Sequence, residues 1–243
     1  MQQRLPSLLD EPIAFGHRGA KAYVAENTLD SFELALKLGA TGLESDVWVT
    51  ADGVPVLDHD GLVKRTLGRG KPISGTARAD LPGHIPTLTE LFERCGTRYH
   101  LSLDLKDPGS GQAVIDAARA HDPTMLPRLW LCSPVWESLL PLLDQGAKLV
   151  DSTRLAKIKE GPERRAAALA RERIDAINMH HSDWSGGLVA LFHRFDRVAF
   201  GWDMQDNHVL RPALRMGLDG VYSDFPDRMM EAYHAEIGMP NGI

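Results

Sequence analysis

Gly42-Leu43-Glu44-Ser45-Asp46-Val47-Trp48 is an apolar run with two acids spaced two apart, and Val54-Pro55-Val56-Leu57 follows it at once. The first run reads as a strand whose alternate residues face opposite ways. Only Thr50-Ala51-Asp52-Gly53 separates the second run from the first strand, far short of the dozen or more residues a parallel crossover needs. They are therefore expected to form an antiparallel hairpin. With Asp52-Gly53 as a two-residue turn, Trp48 opposes Leu57 and Asp46 opposes His59.

Outward from this hairpin, seven more short runs read as strands: Ile13 to His17, His100 to Leu105, Leu129 to Cys132, Lys148 to Asp151, Asp175 to Asn178, Arg197 to Gly201 and Gly220 to Ser223. Helical patterns follow the eight in turn, over Thr28 to Leu38, Thr87 to Cys95, Gln112 to Ala120, Val135 to Gln145, Glu163 to Glu172, Gly187 to Arg194, His208 to Met216 and Asp227 to Glu236. Eight βα pairs without a break in composition predict the α/β class, a single (β/α)8 TIM barrel spanning residues 1–243 as one domain. The long connection from Asp60 to Pro86 follows strand two and is expected at the catalytic end of such a barrel.

Composition narrows the function. A net charge of -6 argues against a nucleic-acid partner. Cys95 and Cys132 are too few and too far apart for a disulfide framework or a metal-ligand motif, and both read as buried thiols. No stretch is long and apolar enough for a transmembrane segment, and Met1 to Pro6 carry no secretory pattern, so the expected location is cytoplasmic. Peripheral membrane contact is the alternative reading of Lys64, Arg65, Arg69 and Lys71 beside apolar residues; a solvated loop is the simpler one. The sequence fixes no oligomeric state.

Glu44 and Asp46 share one side of strand two, and two carboxylates so close repel unless a cation or a shared proton neutralises them. Oxygen ligands of this kind suit Mg²⁺ or Ca²⁺. Taken alone, a Glu-x-Asp pair also suits a solvated face with surface ion pairs. Gly16-His17-Arg18-Gly19 sets a proton carrier and a fixed cation on a glycine-flanked turn, Arg18 being shaped for phosphate, although such a turn also serves structure alone. Asn27 or Thr28 is the expected N-cap of the first helix. His100, Ser102, Asp104 and Lys106 share a face, so that Asp104 completes a metal site and Lys106 meets a phosphate, or the two form an internal ion pair. Trp202 follows strand seven as either ligand wall or core packing. His180, His181 and His193 show no HExxH spacing, and no metal role is expected of them.

The run from Gly16-His17-Arg18-Gly19 through Glu26-Asn27-Thr28, Glu44-Ser45-Asp46-Val47, Asp52-Gly53 and His59-Asp60, with Ile85-Pro86-Thr87-Leu88 and the closing Ser223-Asp224-Phe225-Pro226, resembles the glycerophosphodiester phosphodiesterase family. The resemblance implies a metal-dependent hydrolase of small-molecule phosphodiesters, acting through a cyclic phosphate. It makes His17 and His59 the general acid and base, Glu44 and Asp46 metal ligands, and Arg18 and Lys106 phosphate binders. Two features depart from the family pattern. Asp104 stands where the family places Glu, and the insertion after His59-Asp60 is shorter than in many members, so substrate preference does not carry over. The competing readings are a lysophospholipase D or a sphingomyelinase D-like phosphodiester lyase, which leaves the phosphate cyclic, and a non-catalytic barrel that binds a phosphate ester. A sugar-phosphate isomerase would need a Gly-Ser phosphate cradle after strand seven, where this chain has Trp202-Asp203.

Overall fold

A computed structural model describes residues 4–63 and 70–238. Its strands are β1 (Ile13–His17), β2 (Gly42–Val49), β3 (Pro55–Leu57), β4 (Leu62–Val63), β5 (Lys71–Pro72), β6 (His100–Leu105), β7 (Leu129–Ser133), β8 (Lys148–Thr153), β9 (Ala176–His180), β10 (Val198–Trp202) and β11 (Gly220–Ser223). The α-helices are α1 (Leu29–Lys37), α2 (Leu88–Cys95), α3 (Ser110–His121), α4 (Pro162–Arg171), α5 (Gly186–Arg194), α6 (Asn207–Arg215) and α7 (Pro226–Glu236). Parallel pairing runs β1-β2-β6-β7-β8-β9-β10-β11 and returns to β1, which closes the expected eight-stranded TIM barrel.

Two apolar layers follow from the strand pleat. Leu43, Val47, Leu101 and Leu103 point outward and pack under the helices with Phe32, Leu91 and Phe92. Phe15, Trp130, Cys132, Val150, Phe200 and Tyr222 fill the interior. Gly42 makes room for this filling, because a Cβ there would lie 2.5 Å from the Phe15 ring. Phe15 and Tyr222 stack with centroids 4.5 Å apart, so the interior is a packed core and not a pore.

Three expectations need correction. The hairpin is one residue out of the expected register: Trp48 opposes Val56, Val47 opposes Leu57, and the Asp58 N–H donates to the Asp46 carbonyl. Thr50 is the cause. Its hydroxyl accepts the Val54 N–H at 2.9 Å and donates to Asp52 at 2.5 Å, making a three-residue loop in which Gly53 has a positive φ of 84°. The fourth helical segment is a 3-10 run over Trp136–Leu142, where Pro141 removes a backbone donor. Cys132 is buried as expected but Cys95 is half-buried, and burial raises its thiol to about 11; both are free.

The connection after β3 contains the two-stranded β4–β5 ribbon and two short 3-10 turns. Lys64, Arg65 and Arg69, on which the membrane reading rested, lie outside the described residues. Among the described residues no helix is long and apolar enough to cross a membrane. α2 begins with a reciprocal cap: Thr87 Oγ1 accepts the Glu90 N–H at 3.0 Å and Glu90 Oε2 accepts the Thr87 N–H at 2.7 Å.

Candidate active site

The turn after β1 is built to aim two side chains. Arg18 and Gly19 both have positive φ, 51° and 84°, and a Cβ on Gly19 would fall 2.5 Å from the Ser31 hydroxyl. A left-handed arginine costs on the order of 1–3 kcal/mol and persists only where its surroundings hold it. Here the Asn27 N–H and the Ser31 hydroxyl both donate to the Arg18 carbonyl at 3.1 Å. Asn27 accepts from the Ser45 hydroxyl at 2.7 Å, so Thr28 is left as the N-cap of α1. In this setting the Arg18 N–H donates to Glu44 Oε2 at 2.9 Å, Nη1 donates to Glu26 at 3.0 Å, and Nε lies 3.4 Å from Asp46 Oδ2.

Strand register assembles the rest. Pairing sets His17 beside Glu44, and Asp46 beside Asp104. Lys106 Nζ reaches Asp46 Oδ1 at 2.7 Å and Asp104 Oδ2 at 3.5 Å. Burial pushes the Glu44 carboxyl up to about 7; Asp46 and Asp104 push the same way, against the opposing pull of His17 and the Arg18 N–H. Burial also raises Asp104, against the pull of Lys106. One oxygen of each of the three acids lies within 4.8 Å of the others, and Asp46 Oδ2 is buried without a hydrogen-bond partner. Crowded, under-neutralised oxygens with an orphaned acceptor fit a hard divalent cation. Asp104 stays within reach of the other two despite its shorter side chain.

His17 Nδ1 is 2.5 Å from Asp224 Oδ1, and Nε2 is 3.7 Å from Glu44 Oε2. Burial presses the His17 pKa down, but Glu44 and Asp224 together outweigh it and hold it above the ordinary value. His59 Nδ1 lies 3.0 Å from Asp60 Oδ1, and its side chain is 42% exposed, so its ring is accessible from solvent. A cavity of about 400 Å³ at the open barrel end is lined by His17, Arg18, Glu44, Asp46, His59, Asp104, Lys106 and Trp202. All eight residues singled out in the sequence therefore converge on one space. Arg154, whose guanidinium is 5.8 Å from the Trp202 ring centroid, adds a cation to the far wall.

Asp224 and Gln205 were not singled out as site residues. Gln205 accepts the Asp224 N–H at 2.9 Å and donates to Asp203 at 3.1 Å, and Asp224 in turn holds His17. The sequence signals for Asp224 are its place in the closing Ser223-Asp224-Phe225-Pro226 of the family resemblance and its position just after the last strand, where barrel enzymes carry functional groups.

The family model for the glycerophosphoryl diester phosphodiesterase family matches residues 17–106, the segment that carries seven of these eight residues. A protein of Bacillus altitudinis named glycerophosphodiester phosphodiesterase is 25% identical over 246 residues, covering 89% of this chain and 96% of that one. Glycerophosphodiester phosphodiesterase 1 of Mus musculus is 36% identical over 148 residues, 54% of this chain and 44% of the mouse protein. An Oleispira antarctica phosphodiesterase, solved in complex with the product sn-glycerol-3-phosphate, superposes with a TM-score of 0.79 at 24% identity, over 91% of this chain and 96% of that one. Over residues 17–106, the β1–β6 part of the site, the chain is thus similar to the glycerophosphoryl diester phosphodiesterase family, and over nearly its whole length it is similar to the Bacillus altitudinis protein.

Proposed function

We propose that the chain, as one domain, hydrolyses small glycerophosphodiesters to glycerol phosphate and an alcohol. The observation that carries this reading is the meeting of two imidazoles, His17 and His59, in a cavity that also holds three acids and the cations of Arg18 and Lys106. Arg18 and Lys106 bind the phosphate oxygens, Arg18 through its planar fork of N–H groups. One imidazole removes the proton of the glycerol hydroxyl next to phosphorus. The other protonates the departing alkoxide, each contributing by the usual magnitudes roughly 10²–10⁴-fold. The same pair, with roles exchanged, serves the water that opens the cyclic phosphate. Asp224 holds the Nδ1 side of His17, so that Nε2 is presented to the cavity. A Mg²⁺ or Ca²⁺ ion held by Glu44, Asp46 and Asp104 supplies charge stabilisation on the phosphoryl oxygens when bound. Trp202 forms part of the wall that meets the leaving alcohol.

Phosphorus NMR with glycerophosphocholine and lysophosphatidylcholine, each with Mg²⁺, Ca²⁺ or chelator, tests the proposal. Metal-dependent appearance of linear glycerol phosphate from the first supports it. A cyclic phosphate that persists would move the chain to the lyase reading, and no turnover of either substrate by folded, metal-loaded protein would oppose the assignment.

A further inference from the structure

Across the ring from Glu44, Asp46 and Asp104, which stand on the second and third parallel strands, the sixth and seventh end in a different cluster. His180 closes β9, His181 opens the turn after it, and Asp203 follows β10. One ligand atom from each lies within 4.8 Å of the others. Consecutive residues at a strand end ordinarily diverge, yet the His180 and His181 rings sit with centroids only 4.3 Å apart. Asp203 is turned to meet them by a left-handed backbone, φ 63°.

We propose that His180, His181 and Asp203 form a second divalent-cation site, selective for a borderline transition ion of the Zn²⁺ or Co²⁺ class. Two imidazoles and one carboxylate suit such ions, whereas the all-oxygen group across the cavity suits Mg²⁺ or Ca²⁺. Outer contacts orient the set. His180 Nε2 lies 3.0 Å from Asp203 Oδ2, so an ion takes the place of the proton now shared between them. That proton passes to Nδ1, where the Ser182 hydroxyl at 2.8 Å accepts it and the Ser182 backbone N–H, which donates to Nδ1 at 3.2 Å, gives up that contact. Asp203 keeps its orientation through Oδ1, which accepts from Gln205 at 3.1 Å. The site borders the catalytic cavity, which Asp203 lines, and the His180 ring meets Trp202 edge-on at 4.6 Å.

The test is a titration of tag-free protein with Co²⁺, read by visible absorption, and with Zn²⁺, read by calorimetry. Both use the Glu44→Gln background, so that the oxygen group does not contribute. The proposal expects one ion bound per chain, not displaced by excess Mg²⁺, and lost in His181→Ala and in Asp203→Asn. Asp203→Asn replaces a half-exposed side chain with one of equal size, so it keeps the test open if the histidine variant misfolds. Absence of binding in the Glu44→Gln protein, or binding that survives both substitutions, would overturn the site.

Discussion

Asp224→Asn isolates the contact that orients His17. It keeps the volume of the side chain and removes its charge from a position 2.5 Å from Nδ1. A hydrogen bond to a charged group contributes about 1.5–3 kcal/mol. Both side chains keep some solvent contact, 29% for His17 and 23% for Asp224, so the lower part of that range applies. A loss of about 1.5–2 kcal/mol in the transition state is a fall of roughly 10- to 30-fold in kcat/KM. Asparagine can also present its amide N–H₂ to Nδ1, which would put the imidazole proton on Nε2 and remove the base from the cavity. The assay is hydrolysis of glycerophosphocholine at saturating metal and neutral pH, with metal affinity measured in parallel. Asp224 is not in the acid cluster, so affinity for Mg²⁺ or Ca²⁺ is expected to stay unchanged while kcat/KM falls. Unaltered kcat/KM would refute the orienting role; a parallel collapse of metal affinity would show that the substitution disturbs the whole site.

Three further expectations rest on separate groups. Glu44→Gln removes a buried carboxylate that its neighbours crowd, so in chelator the variant should melt above the wild type, and added Mg²⁺ or Ca²⁺ should no longer raise its Tm. Asp104→Glu extends a side chain that is 38% exposed and has room to move, so metal affinity and turnover should stay within a few-fold of wild type by the usual effect of an unconstrained change. His100 is held neutral: burial lowers its pKa to about 4, and its Nδ1 accepts the Trp130 indole N–H at 3.2 Å. The unfolded chain binds a proton to this residue below about pH 6.5 and the folded one only near 4, so the stability it contributes above 6.5 is lost as pH falls toward 4. The loss by pH 5 is about 2 kcal/mol at most, since the ring retains some exposure. Urea midpoints of wild type and His100→Gln, compared at neutral pH and at pH 5, should show the excess acid sensitivity in the wild type alone.

Much of the barrel was legible because a βα unit is a local pattern. β1, β6 and β11 begin and end where alternation and turn residues place them, since each is a short apolar run with polar flanks. The hairpin register was not legible, because Asp52-Gly53 suits a two-residue turn, and only the Thr50 hydroxyl closing on Val54 and Asp52 selects the longer loop. The site divides along the same line. His17, Arg18, Glu44, Asp46 and His59, which line the cavity, lie within the one stretch that carries the family resemblance. Asp224 comes to His17 only when β11 closes on β1, and Asp203 comes to His180 and His181 only through pairing of β10 with β9. Neither meeting leaves a local spacing for a sequence reader to find, which is why no metal role was expected of His180 and His181.

On the proposed reading, His17 and His59 together carry the proton transfers of phosphodiester hydrolysis. The measurement that bears on it most directly is turnover of glycerophosphocholine by wild type, His17→Ala and His59→Ala, each shown by circular dichroism to be folded and by calorimetry to bind Mg²⁺ or Ca²⁺. Each substitution alone is expected to lower kcat by about 10²-fold or more. Wild-type turnover in either folded, metal-binding variant would contradict it.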